Sequence, residues 1–278
     1  MAPSSRLAVW SRYLRLEHTL FALPLIYAGA LLAGPPLSTR VAVLILVAAT
    51  GARTAALGLN RILDRNLDAL NPRTSGRALP TGTISLQAAR TAVGVAAVAA
   101  AGAAWAISPR CLVLAPVVFG AFIAYPLLKR RTRWVHLGLG ATLALGPVCG
   151  FFAVNLSWAG ALPVFLLAGF TALWAGGFDV LYATQDEASD RRTGVHSLPA
   201  ALGAAAALRV AAGFHVVAVG FLAALYFAAL NGVPAAAAFG FAGLLFLLQH
   251  QARRHLQFAF FHVNAALGAV VLVGVALG

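Results

Sequence analysis

The chain has 278 residues, of which 61% are hydrophobic and 10% charged, and a formal net charge of +13. A soluble domain carries about 25% charged residues, so this shortage excludes an ordinary soluble globule. The basic excess gathers into neither one patch nor one tail, which excludes nucleic acid as the partner.

Apolar runs close to the roughly 20 residues that cross a bilayer as a helix recur along the whole sequence. They predict an all-α membrane protein with nine spans, at 19–34, 41–60, 89–107, 111–128, 135–155, 160–182, 207–230, 234–251 and 258–277. An odd number puts the two termini on opposite sides. The first segment, basic and then apolar through Ala28-Gly-Ala-Leu-Leu-Ala-Gly34, has signal-peptide character. Glu17 and His18 stand at its start, however, and eight further spans follow, so it is read as the first helix.

Arg6, Arg12 and Arg15 precede the first span, and Arg61 to Arg90 follow the second. Lys129 to Arg133 follow the fourth, Arg191 and Arg192 the sixth, and Arg253 and Arg254 the eighth, with only Arg40 and Arg110 in the opposite loops. The positive-inside rule then places the N-terminus in the cytoplasm and the protein in a bacterial-type inner (cytoplasmic) membrane. Cys111 and Cys149 both fall inside predicted spans and read as small buried apolar residues.

Six of the seven acidic residues fall in two clusters, at the ends of the second and sixth spans. Asn60, Asp64 and Asp68 are spaced by four, which at about 100° per residue sets them on one helical stripe roughly 80° wide. Asp179, Asp186 and Asp190 fall within about 40° of one another, while Glu187 points elsewhere. Like charges on one stripe repel, so something cationic must compensate. A solvated edge with its carboxylates paired to nearby arginines would not require two stripes. Two facing carboxylate walls holding Mg²⁺, a hard cation that binds through a few carboxylates and substrate phosphates, would.

Each cluster is followed by a basic, turn-rich loop: Ala69 to Pro80, containing Arg73 and Arg77, and Arg191 to Pro199. The recurrence points to an internal duplication, halves 1–134 and 135–278 of a single domain 1–278, facing each other across a shared site. Aspartates would hold the metal and arginines the phosphate oxygens.

At these residues the sequence resembles the UbiA family of intramembrane aromatic prenyltransferases. Asn60-Arg-Ile-Leu-Asp64-Arg-Asn-Leu-Asp68 is similar to that family's first aspartate motif, and Asp179-Val-Leu-Tyr182-Ala-Thr-Gln-Asp186-Glu-Ala-Ser-Asp190 to its second. The resemblance implies nine helices around a central cavity, open sideways to lipid and capped on the cytoplasmic side by the two loops. It implies Mg²⁺ at Asp64, Asp68, Asp186 and Asp190, with Asp179 as a further catalytic acid. The reaction implied is transfer of a polyprenyl group from its diphosphate to an electron-rich aromatic carbon, a chemistry that needs cations against the departing diphosphate and a dry cavity around the allylic cation.

By the same resemblance Arg53, two turns deeper than Asn60, is similar to the family's cavity arginine; an arginine inside a span needs a partner or a wet cavity. Tyr125 and Lys129 resemble a Tyr/Lys pair near the diphosphate, and Tyr182 a tyrosine of the cavity wall. Lys129 is the chain's one lysine. Many members carry Lys-Ser after the second motif where this chain has His196-Ser197, which removes a permanent cation there. The stretch Arg15 to Pro24 is less similar to the 4-hydroxybenzoate enzymes than to the branch that prenylates 1,4-dihydroxy-6-naphthoate in the futalosine route to menaquinone. Haem, chlorophyllide and homogentisate stand as alternative acceptors. His136, His215, His250, His255 and His262 show no metal-ligand spacing and read as packing or interface residues. A secondary transporter would place its site near the bilayer midplane, whereas these acids lie at helix ends on one side.

Overall fold

The computed structural model describes residues 6–14, 19–251 and 259–278; Arg15, Glu17, His18, Arg253, Arg254 and His255 lie outside them. Among the described residues all regular structure is helical. Seven helical stretches are long and apolar enough to cross a membrane, and two shorter apolar helices, Phe21–Leu31 and Phe261–Leu277, stand where the first and last spans were expected. The chain is a membrane protein.

A short helix α1 (Arg6–Leu14) leads to α2 (Thr19–Leu31). Ser38 caps α3 (Thr39–Leu63) by accepting from Val41 N–H, and Ser85 caps α5 (Leu86–Ile107) in the same way through Ala88 N–H. Between them lies the short α4 (Arg65–Leu70). A 3-10 turn, Pro109–Leu114, feeds α6 (Ala115–Leu128), followed by α7 (Val135–Val154) and α8 (Leu162–Ala183). A second 3-10 turn, Thr184–Asp186, opens α9 (Glu187–Thr193). The chain closes with α10 (Leu198–Leu202), α11 (Ala204–Ala229), α12 (Val233–Gln251) and α13 (Asn264–Leu277).

Two glycines explain how tightly α7 is held. In a bilayer, helices gain by van der Waals contact rather than by a hydrophobic drive, so small residues mark where backbones touch. A Cβ on Gly140 would lie 2.0 Å from the carbonyl oxygen of Ala172 on α8, and one on Gly29 of α2 would lie 2.0 Å from that of Pro147 on α7. Helix α7 is thus clamped between α2 and α8.

The two ends of the chain pack differently. Helices α8, α11, α12 and α13 enclose a solid core in which Trp174 is fully buried and stacks on Phe170 at 5.9 Å. Its Nε1–H donates to Asn264 Oδ1 at 3.0 Å, and Gln249 Nε2 donates to the same oxygen at 2.9 Å. Asn264 is therefore a buried hub of this core and not a cavity residue. Helices α1 to α9 instead surround a cavity of about 1030 Å³, and no described residue beyond Ser197 lines it. The hollow is built by the first half together with α7, α8, α9 and the loop after them.

Candidate active site

The cavity has an apolar shaft and a charged rim. The shaft is walled by small and aliphatic side chains such as Ile45, Ala49, Ala52, Ala104, Leu143 and Gly146. At the rim the expected stripes are broken. Helix α3 stops at Leu63, and Asp64, at φ −93° and ψ 0°, joins it to α4; Asp186, at φ −102° and ψ 0°, joins the turn after α8 to α9. Both sit in the sparsely allowed bridge region, where a helix ends or bends. Asp68 and Asp190 follow on the far side of each break. The four acids share the cavity mouth although neither set lies on one continuous helix.

Each acid has a partner. Lys129, at the end of α6, donates to Asp64 Oδ2. Arg77 Nη1 donates to both oxygens of Asp68 at 2.9 Å. Arg73 grips Asp186 through Nε at 2.8 Å and Nη2 at 2.5 Å, joined by Asn71 Nδ2 at 2.8 Å. Ser197 Oγ donates to Asp190 Oδ2 at 2.8 Å, and His136 Nδ1 lies 2.7 Å from Asp179 Oδ2. The Arg73 guanidinium also lies over the Tyr182 ring, 5.2 Å from its centroid, and donates to its hydroxyl at 3.3 Å. Asn60 donates to the Tyr125 hydroxyl. Glu187 turns away to accept from Ala204 N–H and Arg191.

All twelve residues singled out from the sequence line this one cavity: Arg53, Asn60, Asp64, Asp68, Arg73 and Arg77 from the first acidic stretch, Tyr125 and Lys129 from α6, and Asp179, Tyr182, Asp186 and Asp190 from the second. The sequence reading missed Asn71, His136 and Ser197. A Ser-Leu-Pro start, with Ser197 capping α10 through Ala200 N–H, was a readable signal; for His136 there was none. Cys111 and Cys149 are partly exposed to the cavity rather than buried in packing. His196 keeps its place at the rim, and its backbone N–H donates to Lys129 O at 2.7 Å.

The rim suits a metal in one respect that can be read from atoms. Asp64 Oδ1 is buried with no hydrogen-bond partner, an oxygen with unspent acceptor capacity beside four further carboxylates. Burial pushes the Asp64 carboxyl above the ordinary aspartate range, and Lys129 beside it draws it only partly back. Among the described residues no three acidic, histidine or cysteine side chains already converge as ligands, because the arginines and the lysine stand between the acids.

An apolar shaft inside a helical membrane protein, with interlaced acids and bases at its mouth, is the site of an intramembrane enzyme. The chain belongs to the UbiA prenyltransferase family, whose family model matches residues 22–274, and it is a transferase. It is 34% identical over 241 residues to a 4-hydroxybenzoate octaprenyltransferase of Xanthomonas campestris pv. campestris, covering 81% of this chain and 75% of that relative. It spans between 42% and 62% of the length of three further polyprenyltransferase relatives. The apo structure of a UbiA homolog from Aeropyrum pernix K1 superposes with a TM-score of 0.87 at 31% identity, covering 94% of this chain and 98% of that one. A UbiA homolog from Archaeoglobus fulgidus bound to DMAPP and Mg²⁺ shares the fold, with a TM-score of 0.69 at 19% identity over 94% of this chain and 98% of that one.

Proposed function

We propose that this protein transfers a polyprenyl group from its diphosphate to an aromatic hydroxy acid of quinone biosynthesis, in an Mg²⁺-dependent reaction, with 4-hydroxybenzoate as the first acceptor to test. The observation that carries the reading is the pair of broken helices, each bearing two aspartates, at the mouth of an apolar cavity. The name of the Xanthomonas relative supports the acceptor, and the Mg²⁺ and DMAPP of the Archaeoglobus homolog support the head group.

Asp64, Asp68, Asp186 and Asp190 would hold the metal, which when bound supplies positive charge against the departing diphosphate. Arg73, Arg77 and Lys129 supply fixed cations to the same oxygens. The shaft takes the tail and keeps water from the allylic carbon as its bond to oxygen breaks. Asn60 holds the Tyr125 hydroxyl, and Tyr182 stacks under Arg73, so both phenols are oriented before substrate arrives. Arg53, deeper on α3, holds the acceptor's carboxylate. The matching breaks at Asp64 and Asp186 support a single domain of two related halves, 1–134 and 135–278, and the two short apolar helices support a reading of nine spans, for which the positive-inside rule favours the N-terminus and the rim in the cytoplasm.

The test is an assay of membranes containing the protein with a long-chain prenyl diphosphate and a panel of 4-hydroxybenzoate, 1,4-dihydroxy-6-naphthoate and homogentisate. Product with the first acceptor is expected. Product with the dihydroxynaphthoate alone moves the enzyme to the menaquinone branch, and no product with any acceptor overturns the proposal.

A further inference from the structure

His196, Ser197 and Leu198 are consecutive, and each reaches a different wall of the rim. His196 N–H donates to Lys129 O on α6 at 2.7 Å, Ser197 Oγ to Asp190 on α9 at 2.8 Å, and Leu198 N–H to His136 Nε2 on α7 at 3.2 Å. Three bonds in a row latch this loop across the site. The third has a chemical consequence at the far side of the imidazole ring.

His136 stands in the first turn of α7 and is 2% exposed. A ring nitrogen that accepts from Leu198 N–H carries no hydrogen, so in the neutral imidazole the hydrogen is on Nδ1. Nδ1 faces Asp179 Oδ2 at 2.7 Å and donates to it. The ring is thereby fixed in both tautomer and orientation, as a histidine held at both nitrogens must be.

Asp179 differs from the other acids of the rim in two ways. It lies on α8 seven residues before Asp186, about 10 Å deeper along a helical path, on the side of the shaft rather than of the head group. Its side-chain partner is an imidazole, whereas Asp64, Asp68 and Asp186 are held by an ammonium or a guanidinium and Asp190 by the Ser197 hydroxyl. Asp179 also keeps 28% of its side chain exposed, and it lines the cavity.

We propose that Asp179 accepts the proton displaced from the aromatic acceptor and that His136 is its positioning residue, set in place when the 196–198 latch closes. This rests on the prenyl-transfer reading above. The allylic carbon–oxygen bond breaks with its electron pair leaving on the diphosphate, and a ring carbon supplies the pair for the new carbon–carbon bond. The hydrogen on that ring carbon then passes as a proton to Asp179, and the pair it leaves restores the aromatic ring. His136 makes and breaks no bond; its Nδ1–H engages Oδ2 so that the other oxygen faces the acceptor.

The experiment compares full-length wild type with His136→Gln, whose amide can both donate to Asp179 and accept from Leu198, and with His136→Leu, which can do neither. Three quantities are read in membranes with prenyl diphosphate and the accepted aromatic acid: kcat, the KM of each substrate, and diphosphate released per prenylated product. The leucine variant should lose about tenfold or more in kcat, as for a misplaced proton acceptor, while the KM for prenyl diphosphate stays within about twofold. Its diphosphate release should outrun product, because a ring adduct that cannot lose its proton reverts to the allylic cation, and water then takes that cation to the prenyl alcohol with release of a proton. The glutamine variant should recover most of kcat and the wild-type ratio. A merely structural role would raise both KM values together and leave the ratio alone, and that result overturns the proposal. A glutamine variant as impaired as the leucine one also overturns it, and so does a leucine variant equal to wild type. If the leucine variant fails to reach the membrane, His136→Met takes its place with the same outcomes. A wild type without product on any acceptor overturns the prenyl-transfer reading and this inference with it, whereas an active wild type with an unimpaired leucine variant overturns this inference alone.

Discussion

Asp64 and Asp186, 122 positions apart in the chain, sit at the same kind of place in the backbone: each ends one helical segment and opens another, with ψ at 0° and φ within 10° of the other's, −93° against −102°. Each is followed four residues later by a second aspartate at the rim. Their partners come from the same side. Asp64 is held by Lys129 from the end of α6, and Asp186 by Arg73 from the loop that follows Asp64's own segment. The second acidic stretch is therefore held through the loop of the first, and a change in that loop reaches Asp186.

Asp64→Asn keeps shape and removes charge at a site where one oxygen has no partner and the other faces Lys129. Turnover should fall at least a hundredfold, about 3 kcal/mol in the barrier. The thermal melt of the purified protein should stay close to wild type. Retained turnover would take Asp64 out of the chemistry.

Chelation should abolish activity, and Mg²⁺ or Mn²⁺ should restore it; full activity in EDTA would remove Asp64, Asp68, Asp186 and Asp190 from the ligand role. The same site gives a pH dependence. A carboxyl raised by burial, as Asp64 is, favours the protonated folded form, so its contribution to stability is present at low pH and is lost as pH rises through its folded value. A metal must displace that proton. Added Mg²⁺ should therefore raise the melting temperature more at about pH 8 than at about pH 5, and an equal gain at both would sink this account of Asp64.

Arg53 lines the cavity on α3 seven residues before Asn60, about 10 Å further from the rim. A guanidinium can hold a carboxylate with two bonds, and a lysine cannot reproduce that fork. Arg53→Lys should raise KM for the aromatic acid about tenfold, or 1.4 kcal/mol, and change that for the prenyl diphosphate little. Asp68→Asn should do the reverse. Weaker diphosphate binding in the arginine variant would move Arg53 out of the acceptor pocket.

Gly140→Ala tests the clamp on α7, since its new methyl would need the space held by the Ala172 carbonyl 2.0 Å away. Overpacking of this kind costs about 1–3 kcal/mol. In detergent this should appear as a melting temperature several degrees lower. Gly102→Ala on α5, where a Cβ meets nothing within 4 Å, should leave it unchanged or slightly raised. Equal behaviour of the two variants would show that the backbone contact does not matter.

The long helices were legible because a bilayer demands about 20 apolar residues in a row, and the sequence spells these out. The rim residues were legible because a chain with seven acids cannot place six of them in two stretches by packing alone. The breaks at Asp64 and Asp186 were not legible. Leu63-Asp64-Arg65-Asn66 and Thr184-Gln185-Asp186-Glu187 contain neither proline nor glycine, and the local sequence reads as continuous helix. The bend there is a tertiary outcome, made where each segment leaves the bundle. The Arg73–Asp186 pair spans 113 positions, and His136 stands alone in an apolar run; neither carries a local signal. Only the cap by Ser197 on α10 could have announced the latch.

The arginines already seated on Asp68 and Asp186 also bear on how a substrate comes aboard. A diphosphate reaching an empty rim would have to strip water from bare charges in a medium of low dielectric, which is costly. For the diphosphate proposed above, Arg73 and Arg77 are each presented with a carboxylate as placeholder, so loading would be an exchange of counter-ions. Such a swap would conserve the number of ion pairs and make the release of Asp68 and Asp186 the chemical mark of an occupied site.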